Sequence, residues 1–426
     1  MTAPRATVFR YAGLEVEGTR LAAHYELDGR LFREVVTFEG VEALGDAAAA
    51  VATLWYLVAG LSYYKVGAAR EVDLAATPVG PGSRALLAAA LRDGLGEFAL
   101  RNGLALDDVE ITGGAGPHLA YARLDRSRVL TPFGGGIDSV VSVESLSPTL
   151  DQALFVVSPS AGRFEALEAT AARSGRPVVR ATRSLDADLA SAGGFTGHVP
   201  VTAMVTLLAA TAAVGAGRGG VVMSNEHSSS VANLVREGRE VNHQWSKSLA
   251  AERLIGSAVA EAIGAELTVA SLLRDRSELW VARAFAQLEG YHDVFRSCNR
   301  AFAQDPARRS ATWCLECDKC LFVALVLAPF LERGRLAAML GGEPLADPRR
   351  AEQLRTLVGL GEQHKPFECV GDPDESAVAL ALVAADPAWG DVAHLAAIAR
   401  DARPVRTLAD LLDPQGPTRV PAHWLR

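Results

Sequence analysis

Three consecutive glycines end an apolar run and precede an Asp-Ser pair in Val129-Leu-Thr-Pro-Phe-Gly-Gly-Gly-Ile-Asp-Ser139. This stretch limits the fold more than any other. Without Cβ atoms the backbone at Gly134, Gly135 and Gly136 can turn sharply and come close to a ligand. The next residues, 140–146, are helix-compatible. Asp138 or Ser139 therefore falls near a helix N-terminus, where free N–H groups and the helix dipole attract anions. The pattern predicts an α/β fold with a phosphate cradle at the carboxyl end of a strand. The Walker pattern is absent from the segment, and no lysine lies between Lys65 and Lys247. The plainer alternative is a glycine-rich strand-to-helix turn without a ligand.

The surrounding pattern agrees with a parallel sheet. From residue 126 short apolar runs alternate with helical segments. Strands are expected at 128–132, 153–157, 177–180, 220–224 and 266–270, and helices at 164–174, 202–213, 246–263 and 277–289. Before them, residues 4–39 alternate apolar and polar positions and break at Gly18 and Asp28-Gly29, as in antiparallel hairpins. Residues 44–61 and 84–101 read as helices, and 321–333 as a hydrophobic helix. The expected organisation is an N-terminal α+β domain over 1–125 and a parallel α/β domain over 126–290. A cysteine-bearing, mainly helical region follows over 291–426.

Composition narrows the partners. A chain of 426 residues can build two or three sizeable cores. No run approaches the ~18 uncharged apolar residues of a membrane span, and the N-terminus lacks a signal-peptide shape. A cytoplasmic protein with no membrane partner is expected. A net charge of −8 without a large basic block argues against a nucleic-acid partner. Only four of the 42 basic residues are lysine: Lys65, Lys247, Lys319 and Lys365. A chain so biased towards arginine keeps lysine where a compact ammonium is needed. Asparagine is equally scarce, and four of five (Asn225, Asn233, Asn242 and Asn299) fall between 225 and 299.

Two further segments carry chemistry. Cys314, Cys317 and Cys320 are spaced three apart, with Cys298 upstream as a fourth thiol. Four thiolates suit tetrahedral zinc or an iron–sulfur cluster, and a metal-free core of buried cysteines is the third reading. The run Ser224-Asn-Glu-His-Ser-Ser-Ser230 follows the fourth expected strand of the parallel sheet. Glu240-Val-Asn-His-Gln-Trp-Ser-Lys-Ser248 comes soon after. Such polar loops at strand ends face the ligand cleft of open α/β sheets; otherwise they form a polar surface loop with a helix cap at Ser246 or Ser248.

The glycine segment resembles the loop of the PP-loop ATP pyrophosphatases, Ser-Gly-Gly-x-Asp-Ser, with Gly134 in place of the first serine. That family, of HUP-like fold, cuts ATP between its α and β phosphates. A cysteine upstream of Cys-x2-Cys-x2-Cys after such a domain resembles the structural zinc site of 7-cyano-7-deazaguanine synthase. The ordered set is narrower still. The glycine loop, Asn-His-Gln-Trp-Ser-Lys at 242–247, Ser297-Cys-Asn-Arg300, Trp313-Cys-x-x-Cys-Asp-Lys-Cys320 and His364-Lys-Pro-Phe-Glu-Cys-Val-Gly371 occur in one order. Together, over roughly residues 55–371, they resemble the ATP-dependent UDP-N-acetylmuramoyl-L-alanyl-L-glutamate epimerases of peptidoglycan biosynthesis.

That resemblance implies inversion of the terminal L-Glu of UDP-MurNAc-L-Ala-L-Glu through an adenylated carboxyl, with ATP becoming AMP and pyrophosphate. Adenylation removes the carboxylate charge, so the α-proton becomes acidic enough for a base to take it and an acid to return one. Phe133, Gly134, Gly135, Gly136, Ser139 and Asn225 are expected at the ATP, with Asp138 near Mg2+ or the phosphates. Zn2+ would sit on Cys298, Cys314, Cys317 and Cys320. Acid–base candidates are Cys369, His243, His227, Lys247 and Glu226; Cys369 has Lys365 and His364 close by, or is a small buried hydrophobe. Two other classes stay open: a PP-loop synthase or tRNA-thiolating enzyme that adenylates another group, and a non-catalytic nucleotide-binding regulator.

Overall fold

Alternating buried and exposed side chains carry the chain first through three long antiparallel strands, β1 (Val8–Glu17), β2 (Arg20–Leu27) and β3 (Arg30–Glu39). Gly18 and Gly29 make their turns at φ 57° and 86°, a region that glycine enters freely. The computed structural model describes residues 4–236, 238–264, 267–303, 305–361 and 365–426. Short strands β4 (Glu71–Asp73) and β5 (Glu110–Thr112) follow. The strands expected from residue 126 onward are β6 (Asp125–Pro132), β7 (Asp151–Pro159), β8 (Val178–Ser184) and β9 (Arg218–Met223). A small hairpin, β10 (Leu234–Arg236) and β11 (Arg239–Val241), precedes the last, β12 (Thr268–Ser271). Glu266, where the final strand was expected to begin, lies outside the described residues, as does His364.

Among the described residues, ten strands form one large, mostly parallel sheet in the order β12-β9-β6-β7-β8-β3-β2-β1-β4-β5. β3 lies antiparallel to β8, so the N-terminal hairpins extend the parallel sheet rather than forming a separate one. Neighbouring residues of β7 divide the interior: Ala153 and Phe155 join one apolar core, Leu154 and Val156 the other. That division follows from the two-residue period of a strand. The first core holds Trp55 and Leu207 from helices Asp46–Ala59 and Val201–Gly215. The second holds Leu279 and Leu325 from Glu278–Ala286 and Asp318–Leu327.

Two sequence expectations need correction. Residues 47–64 carry no charge, and Asp46–Gly67 reaches a mean hydropathy of 1.3, so one segment is long and apolar enough to span a membrane. Its most apolar window is 83% buried against the first core, which accounts for the composition. The helix expected over 84–101 is also not continuous. It runs as Pro81–Ala89, a π-helical turn Ala90–Gly94, and Gly96–Asn102. A π turn inserts a residue and rotates the face presented by everything after it.

Candidate active site

The glycine loop joins β6 to the helix Ile137–Ser145 at the carboxyl end of the sheet. Each glycine has its own geometry. Gly135 takes φ 75°, and a Cβ on Gly136 would lie 2.5 Å from Ser297 Oγ. Gly134 is exposed, with open space where a side chain would stand. Arg296 N–H donates to the Gly135 carbonyl at 3.0 Å, holding the loop from behind. Gly136 caps the helix with no side chain, leaving first-turn N–H groups for an anion.

Asp138 sits in that first turn, and among the described residues its buried Oδ1 has no hydrogen-bond partner. Burial, then the charge of Glu226, pushes its carboxyl up to about 6, against the pull of Lys319 and Lys247. Glu226 (2% exposed) follows β9, and Glu278 (3%) opens the helix Glu278–Ala286. Glu278 is raised far above the carboxylate range by burial, then by Glu226 and Asp138. Burial opposes ionisation of Glu226 too, but Lys247, Lys319 and Lys365 hold it low. Uncompensated buried charge costs several kcal/mol per ion; the lysines compensate Glu226, and Glu278 stays protonated. Three of the four lysines in the chain converge on Glu226, and Lys65 faces His198. Scarcity therefore marked the site.

A second group adjoins the first. Burial disfavours the Cys369 thiolate, yet Lys247, a hydrogen bond with His243, and Lys319 bring the thiol down to about 6. Burial also opposes charge on His243, but hydrogen bonds to Cys369 and Glu97 raise it to about 9. At neutral pH the pair is thiolate and imidazolium. His243 is held by its own motif: its N–H donates to Asn233 Oδ1 at 2.7 Å, and Asn233 Nδ2 donates to the Pro366 carbonyl at 2.6 Å. Gln244 Nε2 donates to the Val370 carbonyl at 3.1 Å, and Gln244 Oε1 accepts from Lys247 Nζ at 3.2 Å. The Asn-His-Gln-Trp-Ser-Lys string therefore clamps both sides of Cys369. Beside it opens a cleft of about 580 Å³ whose lining includes Arg101, Asp318, Phe367 and Glu368.

The sequence-derived residues separate by place. Asp138, Glu226, Lys247, His243 and Cys369 come together. Cys369, His243, Lys247 and Asp138 are partly accessible, while Glu226 is buried beneath them. Ser139 Oγ donates to the Gly136 carbonyl at 3.0 Å, and Asn225 Nδ2 donates to Ser271 Oγ at 3.0 Å. The Phe133 ring belongs to the second core, and its N–H donates to the Phe155 carbonyl at 2.9 Å. The His227 ring lies towards Gly416, and its charged neighbours are Arg406, Arg274, Asp372 and Glu226. Sequence reasoning missed Glu278, His198 and Glu97. Glu97 reads as a surface residue because Arg101 stands four places on, the usual exposed helix pair.

The four cysteines form a closed group. Cys314 and Cys320 sulfurs lie 3.7 Å apart, Cys317 and Cys320 3.4 Å, and all four lie within 4.8 Å of one another. Four thiolates on tetrahedral zinc at ~2.3 Å would stand about 3.8 Å apart, so the spacing fits a structural ion that leaves no open position. Glu97, His198 and His243 also cluster within 4.8 Å. Their closest contact, Glu97 to His243 Nδ1 at 2.5 Å, is a hydrogen-bond length, shorter than two ligands of one ion permit. Elemental analysis is expected to find close to one zinc per chain, without iron–sulfur absorbance. Cys317→Ser should lower the melting temperature by on the order of 10 °C, because the metal's binding energy is folding energy.

With this geometry in place, likeness to known proteins becomes informative. The family model described as MurL N-terminal domain matches residues 1–272, and MurL C-terminal domain matches 294–410. Three relatives bear the name UDP-N-acetyl-alpha-D-muramoyl-L-alanyl-L-glutamate epimerase. The one from Salinispora tropica is 40% identical over 92% of this chain and 88% of its own length. That from Micromonospora sp. is 42% identical, over 93% and 90%. The third, from Xanthomonas oryzae pv. oryzae, is 37% identical, over 88% and 84%.

Proposed function

Since the chain belongs to the MurL family, we propose that it inverts the terminal L-Glu of UDP-MurNAc-L-Ala-L-Glu by way of an adenylated α-carboxyl. ATP would be converted to AMP and pyrophosphate in the cytoplasm. The observation that carries this reading is the adjacency of two unlike centres. A glycine cradle with an unpartnered buried carboxylate oxygen lies beside a thiolate–imidazolium pair, and Lys247 bears on both Asp138 and Cys369. One centre suits phosphate and the other suits a carbon-bound proton.

In this reading the loop N–H groups bind the phosphates, and Lys247 and Lys319 offset their charge. Asp138 would hold magnesium, which would supply charge neutralisation at the phosphates; its orphaned Oδ1 fits that task. Once the carboxyl is adenylated, the Cys369 thiolate takes the α-proton. The bond to hydrogen passes from Cα to sulfur, and its electron pair moves into the activated acyl group. Protonated Lys247 and His243 are the acids at hand for return of a proton. Water then releases AMP and the D-Glu product.

Incubation with ATP, magnesium and UDP-MurNAc-L-Ala-L-Glu in deuterated water tests the proposal. Recovered D-Glu product should carry deuterium at Cα, and AMP should form only when the glutamyl substrate is present. ATP consumption with no Cα exchange, or with an amide as product, would replace the epimerase reading by that of a synthase.

A further inference from the structure

Glu97 lies 146 positions from His243, outside every motif named above, yet it is 5% exposed and hydrogen-bonded to that ring. Several local features combine to bring it there. At the end of the π turn, a Cβ on Gly94 would meet the Trp245 ring at 3.0 Å, so the glycine there favours close packing of the His243 loop. The helix Gly96–Asn102 then turns Glu97 inward, where one carboxylate oxygen meets His243 Nδ1 and the other meets Arg101 Nε at 2.5 Å. On the far side, the segment carrying His198 is tied down by Lys65 Nζ donating to the Gly197 carbonyl at 3.0 Å. Asn102 Nδ2 donates to the Thr196 carbonyl, also at 3.0 Å. The His198 ring lies against His243, with centroids 4.2 Å apart.

With Nδ1 engaged by a carboxylate, the second ring nitrogen of His243 is the one left for Cys369. We propose that Glu97 is the positioning residue of the acid–base centre, fixing the ring and proton of His243 so that Cys369 stands ready as a thiolate. This rests on the epimerase reading for its purpose, but not for its geometry. An N-terminal helix would then determine the reactivity of a thiol 272 positions away. The groups facing this relay are Arg101 and His198 at Glu97, Lys65 beyond His198, and Lys247 and Lys319 at Cys369. His198 is lowered to about 4 by burial, then by His243, so it is neutral at working pH and adds no competing charge.

Alkylation of Cys369 by iodoacetamide, followed against pH by mass spectrometry of its peptide, tests the relay on the full-length, zinc-loaded protein without ATP or substrate. The wild-type rate should rise through an inflection near 6. Glu97→Gln should move that inflection upward by about one unit or more, and Glu97→Asp should restore most of the shift. His243→Gln interrupts the same relay and should move it in the same direction. In the deuterium assay, Glu97→Gln should lose about twofold or more of Cα exchange at pH 7, regain it towards pH 8.5, and keep AMP formation. A shift in His243→Gln with none in Glu97→Gln, or lost exchange that higher pH does not restore, would overturn the proposal. A pH-shifted thiol in a wild type that never exchanges Cα would leave the relay standing and remove the epimerase reading.

Discussion

Cys369→Ala is expected to abolish inversion and Cα deuterium exchange, by roughly 10³-fold, while ATP is still converted to AMP. The two steps separate because the thiol belongs to the proton-transfer centre and the phosphate cradle is built from different residues. No stability argument predicts that split, since a structural defect would lower both rates. The wild-type pH profile carries the same assignment with a definite sign. The base must be deprotonated, so the rate should climb as pH rises through about 6, where Cys369 ionises. It should fall as pH passes about 9, where His243 loses its proton. Cys369→Ser should be nearly as poor as alanine, since a hydroxyl placed beside the same imidazolium stays protonated throughout this range. A variant that inverts the substrate at a substantial rate would remove Cys369 from the mechanism.

Asp138→Ala is expected to suppress AMP formation by about 10²–10³-fold, and the thermal response should run the opposite way from an ordinary core defect. Asp138 is crowded by Glu226 and raised to about 6 mainly by burial. Its removal relieves like-charge repulsion, so the melting temperature should hold or rise. Gly135→Val should give the same loss of AMP for a different reason. A valine at φ 75° costs roughly 1–2 kcal/mol in backbone strain, and the loop would give way before the sheet. Normal AMP formation in either variant would show that the loop does not hold the phosphates.

How much of this was legible beforehand depends on the range of each signal. The glycine turn, the strand–helix alternation after residue 126 and the cysteine spacing are local patterns. Each depends on atoms a few residues apart, so each survives in a one-dimensional reading. The scarce lysines were legible for a related reason: in an arginine-rich chain, Lys247, Lys319 and Lys365 mark positions where a compact ammonium meets buried acid. The expectation that no run is apolar enough to span a membrane overlooked residues 47–64, whose composition by itself does not distinguish a core helix from a spanning one. The expected helix over 84–101 went wrong because a single inserted π turn leaves no mark on periodicity.

What the sequence by itself determined was the chemistry available: a cradle for anions, four thiols for a metal, and a short list of residues able to move protons. Which of those residues meet was decided only by the tertiary structure. Cys369 becomes acidic and His243 basic because Glu97, the 242–247 string that carries His243 and Lys247, and Cys369 itself, three segments distant in the chain, are brought together in a partly buried site. There, charges interact strongly enough to move a pKa by units. His227, equally plausible as a string of letters, turns towards the C-terminal residues and loses that company. Local geometry follows from neighbours in the chain, but electrostatic environment follows from neighbours in space.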